Sequence, residues 1–145
     1  MSAERNAEIA KQLILTMKAH GGPDPGLVTP DFGWWMSFHH SIMNLDEMRQ
    51  HIKNVALPPL EMEVIGVAAG EDRVAVEVQG RCLLPGGVRY DNNYCFVMVF
   101  RDGLVCQMRE YCDTKLAADL VGMDGSYGLA ADASIVRLPW RVHCV

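Results

Sequence analysis

The chain has 145 residues, of which 50% are hydrophobic and 21% are charged. This length fits one domain with a substantial core, and the composition excludes an intrinsically disordered chain. The net charge of −5 argues against a nucleic-acid partner or an anionic membrane surface, and there is no run of about 18 apolar residues that would predict a transmembrane helix.

The N-terminal residues and the cysteines both indicate a cytoplasmic protein. The segment MSAERNAEIAKQ is charged and lacks the apolar centre of a signal peptide. The five cysteines are odd in number and form no Cys-x-x-Cys pair. This pattern argues against a disulfide framework and a zinc site, so we expect a reducing compartment and no bound metal.

Two helices are predicted in the first half of the chain. Apolar residues recur at helical spacing over residues 4–19, and a Gly-Gly-Pro run ends the pattern. After an aromatic segment with a short strand around residues 34–37, a second helix is predicted over residues 45–56. Asn44 fits its N-cap, and Glu47 lies three residues later as the partner in a capping box.

From residue 60 the hydrophobic period changes from helical to two, which predicts strands. Four strand candidates follow one another, separated by the turn sequences GED, PGG and RDG, and so predict an antiparallel meander. A short helix over residues 114–120 and a tail over residues 123–145 complete the chain. Helices on one side of an antiparallel sheet define an α+β fold, here a single domain over residues 1–145 with its core at residues 4–122.

The last strand, LVCQMREYC, carries a carboxylate on its apolar side. Strict alternation places Glu110 on the same face as Leu104, Cys106, Met108 and Cys112. Burial raises the pKa of a carboxyl group toward neutrality, which suits a general acid or base. The alternative is a structural ion pair, with Arg81 as a candidate partner.

The segment RYDNNYCFVMVFRDGLVCQMREYCDTKLA resembles the last hairpin of the SnoaL-like, ketosteroid-isomerase-like superfamily. The matching positions are Tyr90, Asn92, Tyr94 and Phe96, then Asp102 and Gly103, then Arg109, Glu110, Tyr111 and Asp113. The resemblance implies a cone-shaped half-barrel, in which a curved antiparallel sheet wraps around the N-terminal helices and encloses an apolar cavity. It also implies a homodimer and activities such as isomerisation, cyclisation, epoxide hydrolysis and dehydration.

Two departures from family patterns bear on the reaction. Glu110 stands where limonene epoxide hydrolase has a catalytic Asp, but the neighbouring strand offers Glu77, Gln79 and Arg81 in place of that enzyme's Arg and second Asp. The first helix contains no tyrosine, so it lacks the phenol donor of a ketosteroid isomerase site. The other reactions of the superfamily are therefore favoured over epoxide hydrolysis.

The candidate catalytic residues are Glu110, His39, His40 and Tyr94. Glu110 is the predicted acid or base, and one of the two histidines is the predicted second proton carrier, since an imidazole exchanges protons near neutral pH. The alternative for this pair is a solvated surface position. Tyr94 is a candidate donor to a developing oxyanion, although backbone contacts or packing would also explain it.

The candidate substrate-binding residues are Trp35, Asn92, Met108 and Phe96. Trp34 and Trp35 cannot both face the cavity in an extended chain, and Trp35 is the predicted wall for a ring-shaped ligand, with plain core packing as the alternative. His39 is favoured slightly over His40 because it shares extended parity with Trp35. Asn92 is a second candidate oxyanion donor, with a structural role as its alternative.

These residues predict a SnoaL-like protein that binds a small apolar, ring-containing metabolite. Its chemistry would be cofactor-free acid–base catalysis by an isomerase, cyclase, hydratase or dehydratase. A non-catalytic ligand-binding protein and a dimerising interaction subunit of the same fold are the alternatives.

Overall fold

The computed structural model describes residues 2–37, 42–55 and 57–121. It contains three helices and a six-stranded, curved, unclosed sheet, which confirms the α+β fold. The elements in chain order are α1 (Ala3–His20), β1 (Val28–Met36), β2 (Ile42–Met43), α2 (Leu45–Asn54), β3 (Glu61–Ala69), β4 (Arg73–Leu83), β5 (Arg89–Arg101), β6 (Leu104–Cys112) and α3 (Thr114–Val121). The predicted tail, residues 123–145, lies outside the described ranges.

Both predicted N-terminal helices are confirmed, and each is bounded by local hydrogen bonds. The Ser2 hydroxyl accepts from the backbone N–H of Arg5 at the start of α1, and Gly21 ends this helix with a φ of 63°. The predicted capping box at α2 is present, since Asn44 and Glu47 each accept a backbone hydrogen bond from the other. These caps fix where the two helices begin beside the sheet.

The sheet order is β2-β1-β6-β5-β4-β3, and the four strands β3 to β6 form the predicted antiparallel meander. The expectation of a wholly antiparallel sheet is wrong, because β1 runs parallel to β6. The aromatic strand is also longer than predicted and pairs with β2 as well. This parallel pairing places the N-terminal aromatic segment beside the last strand.

The RDG turn between β5 and β6 has the backbone that a two-residue hairpin loop requires. Asp102 has a φ of 50° and Gly103 a φ of 79°. Positive φ at both central positions is typical of a type I′ turn, whose twist matches that of the flanking strands. The turn therefore sets the register of β6 against β5.

A β-bulge at Cys106 breaks the strict alternation expected for β6. Val99 pairs with Gln107 while Phe100 pairs with Val105, so Cys106 is an extra residue on this strand. Val105 consequently joins the core in place of Leu104 and Cys106, whereas Met108 keeps the predicted side. Among the described cysteines, Cys82, Cys95 and Cys112 are free.

The core lies between α1 and the concave face of the sheet. Its helix residues are Ile9, Ala10, Leu13, Ile14 and Met17, and its main strand residues are Val74, Val76, Val78, Phe96, Met98, Phe100, Val105 and Met108. No helix of the described part of the chain is long and apolar enough to cross a membrane. The sheet extends beyond α1, and the space left between its concave face and α2 forms a cavity.

Candidate functional site

The cavity has a volume of about 300 Å³ and a mostly apolar lining. The sheet contributes one wall, α1 and α2 contribute another, and residues 57–60 complete it. Its apolar lining residues are Met17, Met36, Met48, Ile52, Val55, Leu57, Pro58, Pro59, Leu60, Met62 and Phe96. Lys18, Trp34, His51, Tyr94 and Glu110 add polar atoms to this lining. A concave, mostly apolar site that carries a small number of polar groups is typical of a small-molecule pocket.

Glu110 lies on the sheet wall of this cavity. On β6 it pairs with Phe96 of β5 on one side and with Met36 of β1 on the other. Only 7% of the residue is exposed. Its carboxylate accepts a 3.0 Å hydrogen bond from the Trp34 indole Nε1. The carboxylate oxygen thus has a fixed direction at the cavity surface.

Burial raises the pKa of Glu110 from its ordinary value of 4.5 to about 7. Loss of water around the carboxylate is the main cause, since it disfavours the charged form. The hydrogen bond from Trp34 acts in the opposite direction and lowers the pKa. A carboxyl group that titrates near neutral pH can both accept and release a proton under physiological conditions.

Trp34 lines the cavity, and Trp35 does not. In the parallel pairing Trp34 lies opposite Met108 and Trp35 opposite Arg109, so alternation turns only Trp34 to the concave face. Trp35 packs edge-on against Tyr111, with ring centroids 5.3 Å apart. The tryptophan on the cavity wall is therefore Trp34 and not the predicted Trp35, because the pairing of β1 with β6 turns Trp34 inward.

The structure brings Tyr94 and Phe96 together with Glu110 at the cavity. The Tyr94 and Phe96 rings stack with centroids 5.7 Å apart, and Phe96 meets Trp34 edge-on at 6.3 Å. Burial raises the pKa of Tyr94, and the nearby Glu110 charge raises it further. The phenol is thus a neutral hydroxyl that can donate a hydrogen bond.

Asn92 and Met108 are buried but do not line the cavity. Met108 is a fully buried core residue between β5 and β1. The Asn92 amide accepts from the Asp113 backbone N–H and donates to the Tyr90 hydroxyl. The arrangement therefore does not favour direct contact of Asn92 or Met108 with a ligand in the cavity.

The predicted pair His39 and His40 lies outside the described residues, but His51 lies on the cavity wall. Met48, His51, Ile52 and Val55 line the cavity at spacings of three, four and seven residues, the pattern of one helix face. This stripe was readable in the sequence of α2. His51 is therefore the candidate for a second proton carrier that sequence reasoning missed.

Glu77, Gln79 and Arg81 lie on the convex face of the sheet, away from Glu110. The Arg81 guanidinium bonds to the Glu63 carboxylate at 2.7 Å and also to Gln79. The alternative of an ion pair between Glu110 and Arg81 is thus wrong. Within the described ranges, no group of three or more His, Cys, Asp or Glu side chains could hold a metal ion.

A family model for the SnoaL-like domain matches residues 25–108, so the chain belongs to the SnoaL-like family. No curated protein matches the chain in sequence.

Solved structures with the NTF2-like cone fold resemble this chain over most of its length. PrhC from Penicillium brasilianum NBRC 6234 is 18% identical with a TM-score of 0.70, covering 85% of this chain and 89% of its own. TerC, co-crystallised with polyporic acid, is 16% identical with a TM-score of 0.67, covering 81% and 98%. A candidate SnoaL-like polyketide cyclase from Jannaschia sp. CCS1 is 18% identical with a TM-score of 0.66, covering 82% and 92%. At these identities the likeness shows the fold.

Proposed function

We propose that this protein binds a small apolar, ring-containing metabolite in the cavity and catalyses a cofactor-free proton transfer on it. The reaction class is isomerisation, cyclisation, hydration or dehydration. The observation that carries the proposal is Glu110, a buried carboxyl group on an apolar wall whose pKa is raised to about 7. Co-crystallisation of the similar TerC with a small molecule also supports a ligand in this fold.

The proton transfer is assigned to Glu110. As a carboxylate it removes a proton from a carbon next to a ligand carbonyl, and as the resulting acid it returns that proton to another ligand atom. Tyr94 donates a hydrogen bond to the oxygen on which negative charge develops. His51, on the α2 side of the same cavity, is the proposed second proton carrier.

The test uses α-tetralone, a bicyclic ketone, because base catalysis next to its carbonyl is visible without the natural substrate. In D₂O the wild-type protein should speed the incorporation of deuterium at the α-carbon, measured by NMR against a buffer blank. Glu110→Gln should lower the protein-dependent rate at least about 100-fold while α-tetralone still binds, because general base catalysis contributes about that much.

Glu63→Gln is the matched control, since this carboxylate lies on the convex face beside Arg81. It should leave the deuteration rate unchanged. If the wild type binds α-tetralone but does not speed its deuteration, the enzymatic proposal is overturned and a non-catalytic ligand-binding protein is favoured. If α-tetralone does not bind at all, the ligand class itself is wrong.

A further inference from the structure

Three polar side chains follow one another on the inner face of β5, where the strand passes the cavity. The Asn92 amide Nδ2 donates to the Tyr90 hydroxyl at 2.8 Å, and the Tyr90 and Tyr94 hydroxyls are 3.2 Å apart. Tyr90 is fully buried and Asn92 is 1% exposed, so this chain of hydrogen bonds is closed to water on the Asn92 side. At its other end Tyr94 lines the cavity.

The direction of this chain is set by the backbone at Asp113. The Asp113 N–H is a donor only, and it lies 3.2 Å from the Asn92 Oδ1. The amide oxygen must therefore face Asp113, which turns the Asn92 NH₂ group toward the Tyr90 hydroxyl and the Asp113 carbonyl. The Asn92 side chain has one orientation, and in that orientation it donates to Tyr90.

The Tyr90 oxygen consequently accepts one hydrogen bond and still has its own proton to place. A buried hydroxyl proton without an acceptor is costly, and the Tyr94 oxygen is the acceptor that the described residues offer within reach. When Tyr90 donates to Tyr94, the Tyr94 oxygen is the acceptor of that bond. The Tyr94 O–H is then not used between the two tyrosines, and it can donate a hydrogen bond into the cavity.

We infer that Asn92 and Tyr90 orient the Tyr94 hydroxyl as a hydrogen-bond donor into the cavity, so that the ligand presents an accepting oxygen, such as a carbonyl, at this point. Asn92 and Tyr90 are positioning residues, because they act through Tyr94 and do not line the cavity. The inference rests on the proposed function, in which the cavity holds an apolar ring ligand and Tyr94 donates to its oxygen. It adds which residues hold the Tyr94 hydroxyl in that orientation.

The experiment compares α-tetralone with tetralin, the hydrocarbon of the same ring skeleton. Wild-type protein should bind the ketone roughly fivefold more tightly than the hydrocarbon, the gain of about one hydrogen bond. The carbonyl stretching band of bound, ¹³C-labelled α-tetralone should lie at lower frequency than in an apolar solvent, since a hydrogen bond weakens the C=O bond. Tyr94→Phe should abolish the tighter binding of the ketone over the hydrocarbon. It should also remove the part of the carbonyl band shift that the Tyr94 hydrogen bond causes.

Asn92→Asp tests the direction of the hydrogen bonds from Asn92 through Tyr90 to Tyr94, and it leaves the size of the side chain nearly unchanged. A carboxylate at this position still accepts from the Asp113 N–H but also attracts the Tyr90 proton. Tyr90 then no longer donates to Tyr94, and Tyr94 donates to Tyr90 instead of to the ligand. The bound carbonyl band should move as in Tyr94→Phe. A merely structural role of Asn92 would leave the band of bound ketone where it is.

Tyr111→Phe is the control for loss of a phenol hydroxyl, because Tyr111 packs against Trp35 on the other face of the sheet. Its band and affinities should equal those of the wild type. If Asn92→Asp does not fold, Tyr90→Phe replaces it and should reduce the band shift partly, since Tyr94 loses the bond that orients it.

The outcomes separate this inference from the proposed function. If both compounds bind with equal affinity and Tyr94→Phe leaves the band unchanged, the inference is overturned while the apolar ligand class stands. If the band moves in Tyr94→Phe but not in Asn92→Asp or Tyr90→Phe, Tyr94 donates without the positioning chain, and the inference is overturned. If neither compound binds, it falls together with the proposed function.

Discussion

Glu110 contributes to stability in a way that depends on pH. Its pKa is 4.5 in an ordinary setting and about 7 in the fold, so between these values the folded protein binds more protons than the unfolded chain. The free energy of unfolding should therefore fall as the pH rises from about 4.5 to about 7. At about 1.4 kcal/mol for each pKa unit, this contribution is about 3 kcal/mol.

Glu110→Gln should remove this pH dependence, because an amide stays neutral. Urea unfolding at pH 5 and pH 8 measures it: the wild type should lose about 3 kcal/mol more than the variant between the two values. Glu63→Gln, on the exposed face, should keep the slope of the wild type. If the stability of Glu110→Gln falls as steeply between pH 5 and pH 8 as that of the wild type, the raised pKa of Glu110 is contradicted.

Trp34→Phe should raise the pKa of Glu110 above about 7. The indole N–H favours the charged carboxylate, and phenylalanine offers no donor in its place. A ¹³C NMR titration of the glutamate side-chain carboxyl carbons measures the change. Trp35→Phe is the matched control, since the neighbouring tryptophan packs against Tyr111, and its Glu110 should titrate as in the wild type. A pKa that falls in Trp34→Phe would refute this assignment.

The positions of individual side chains differ in how far the sequence predicts them. Glu110 was predictable because its parity is set by neighbours on its own strand. The inward position of Trp34 was not, because it depends on parallel pairing with a strand more than 70 residues later in the chain. His51 was readable from its own helix, where it repeats the spacing of apolar residues that face the cavity.

At the scale of one element, Gly80 on β4 makes room for the Tyr94 ring. A Cβ at this position would lie 2.9 Å from the Tyr94 Cε2, and 3.1 Å and 3.2 Å from the ends of Leu60 and Met62. All three side chains line the cavity. The absence of a side chain at Gly80 is thus part of how the cavity wall is built.

Gly80→Ala should push the Tyr94 ring and reduce α-tetralone binding at least about fivefold, the loss of one well-placed hydrogen bond. It should also lower stability by about 1–3 kcal/mol, the usual cost of overpacking a core. Gly70→Ala is the control, because a Cβ there meets only the Arg73 carbonyl at an ordinary 3.5 Å. Calorimetric titration and thermal unfolding measure both effects, and wild-type affinity in Gly80→Ala would contradict this account.

Among the elements, local signals predicted the meander and the two N-terminal helices, because tight turns and caps fix their bounds within a few residues. The parallel neighbour of β6 was not predictable in the same way. No turn joins β1 to β6, and the aromatic segment carries no period that distinguishes an inner strand from an edge strand. The bulge at Cys106 likewise leaves no mark in the sequence, since it depends on the register with β5.

For the whole molecule, the homodimer implied by the family resemblance stays a prediction. Light scattering coupled to size-exclusion chromatography should give a mass twice that of the 16.1 kDa chain. The mass should persist on dilution to low micromolar concentration, because obligate homodimers bury large interfaces. A mass of one chain at every concentration would contradict it.

The pairing of β1 with β6 has a consequence for the order of events during synthesis. Trp34 and Glu110 are separated by 76 positions, so the ribosome must release most of the chain before the indole can reach its carboxylate. The hairpins of the meander need only local contacts and can close earlier, whereas this last pairing must pay the entropy of a long loop. The hydrogen bond that fixes the direction of the Glu110 carboxylate is therefore a late contact, which can form only after β6 has been synthesised.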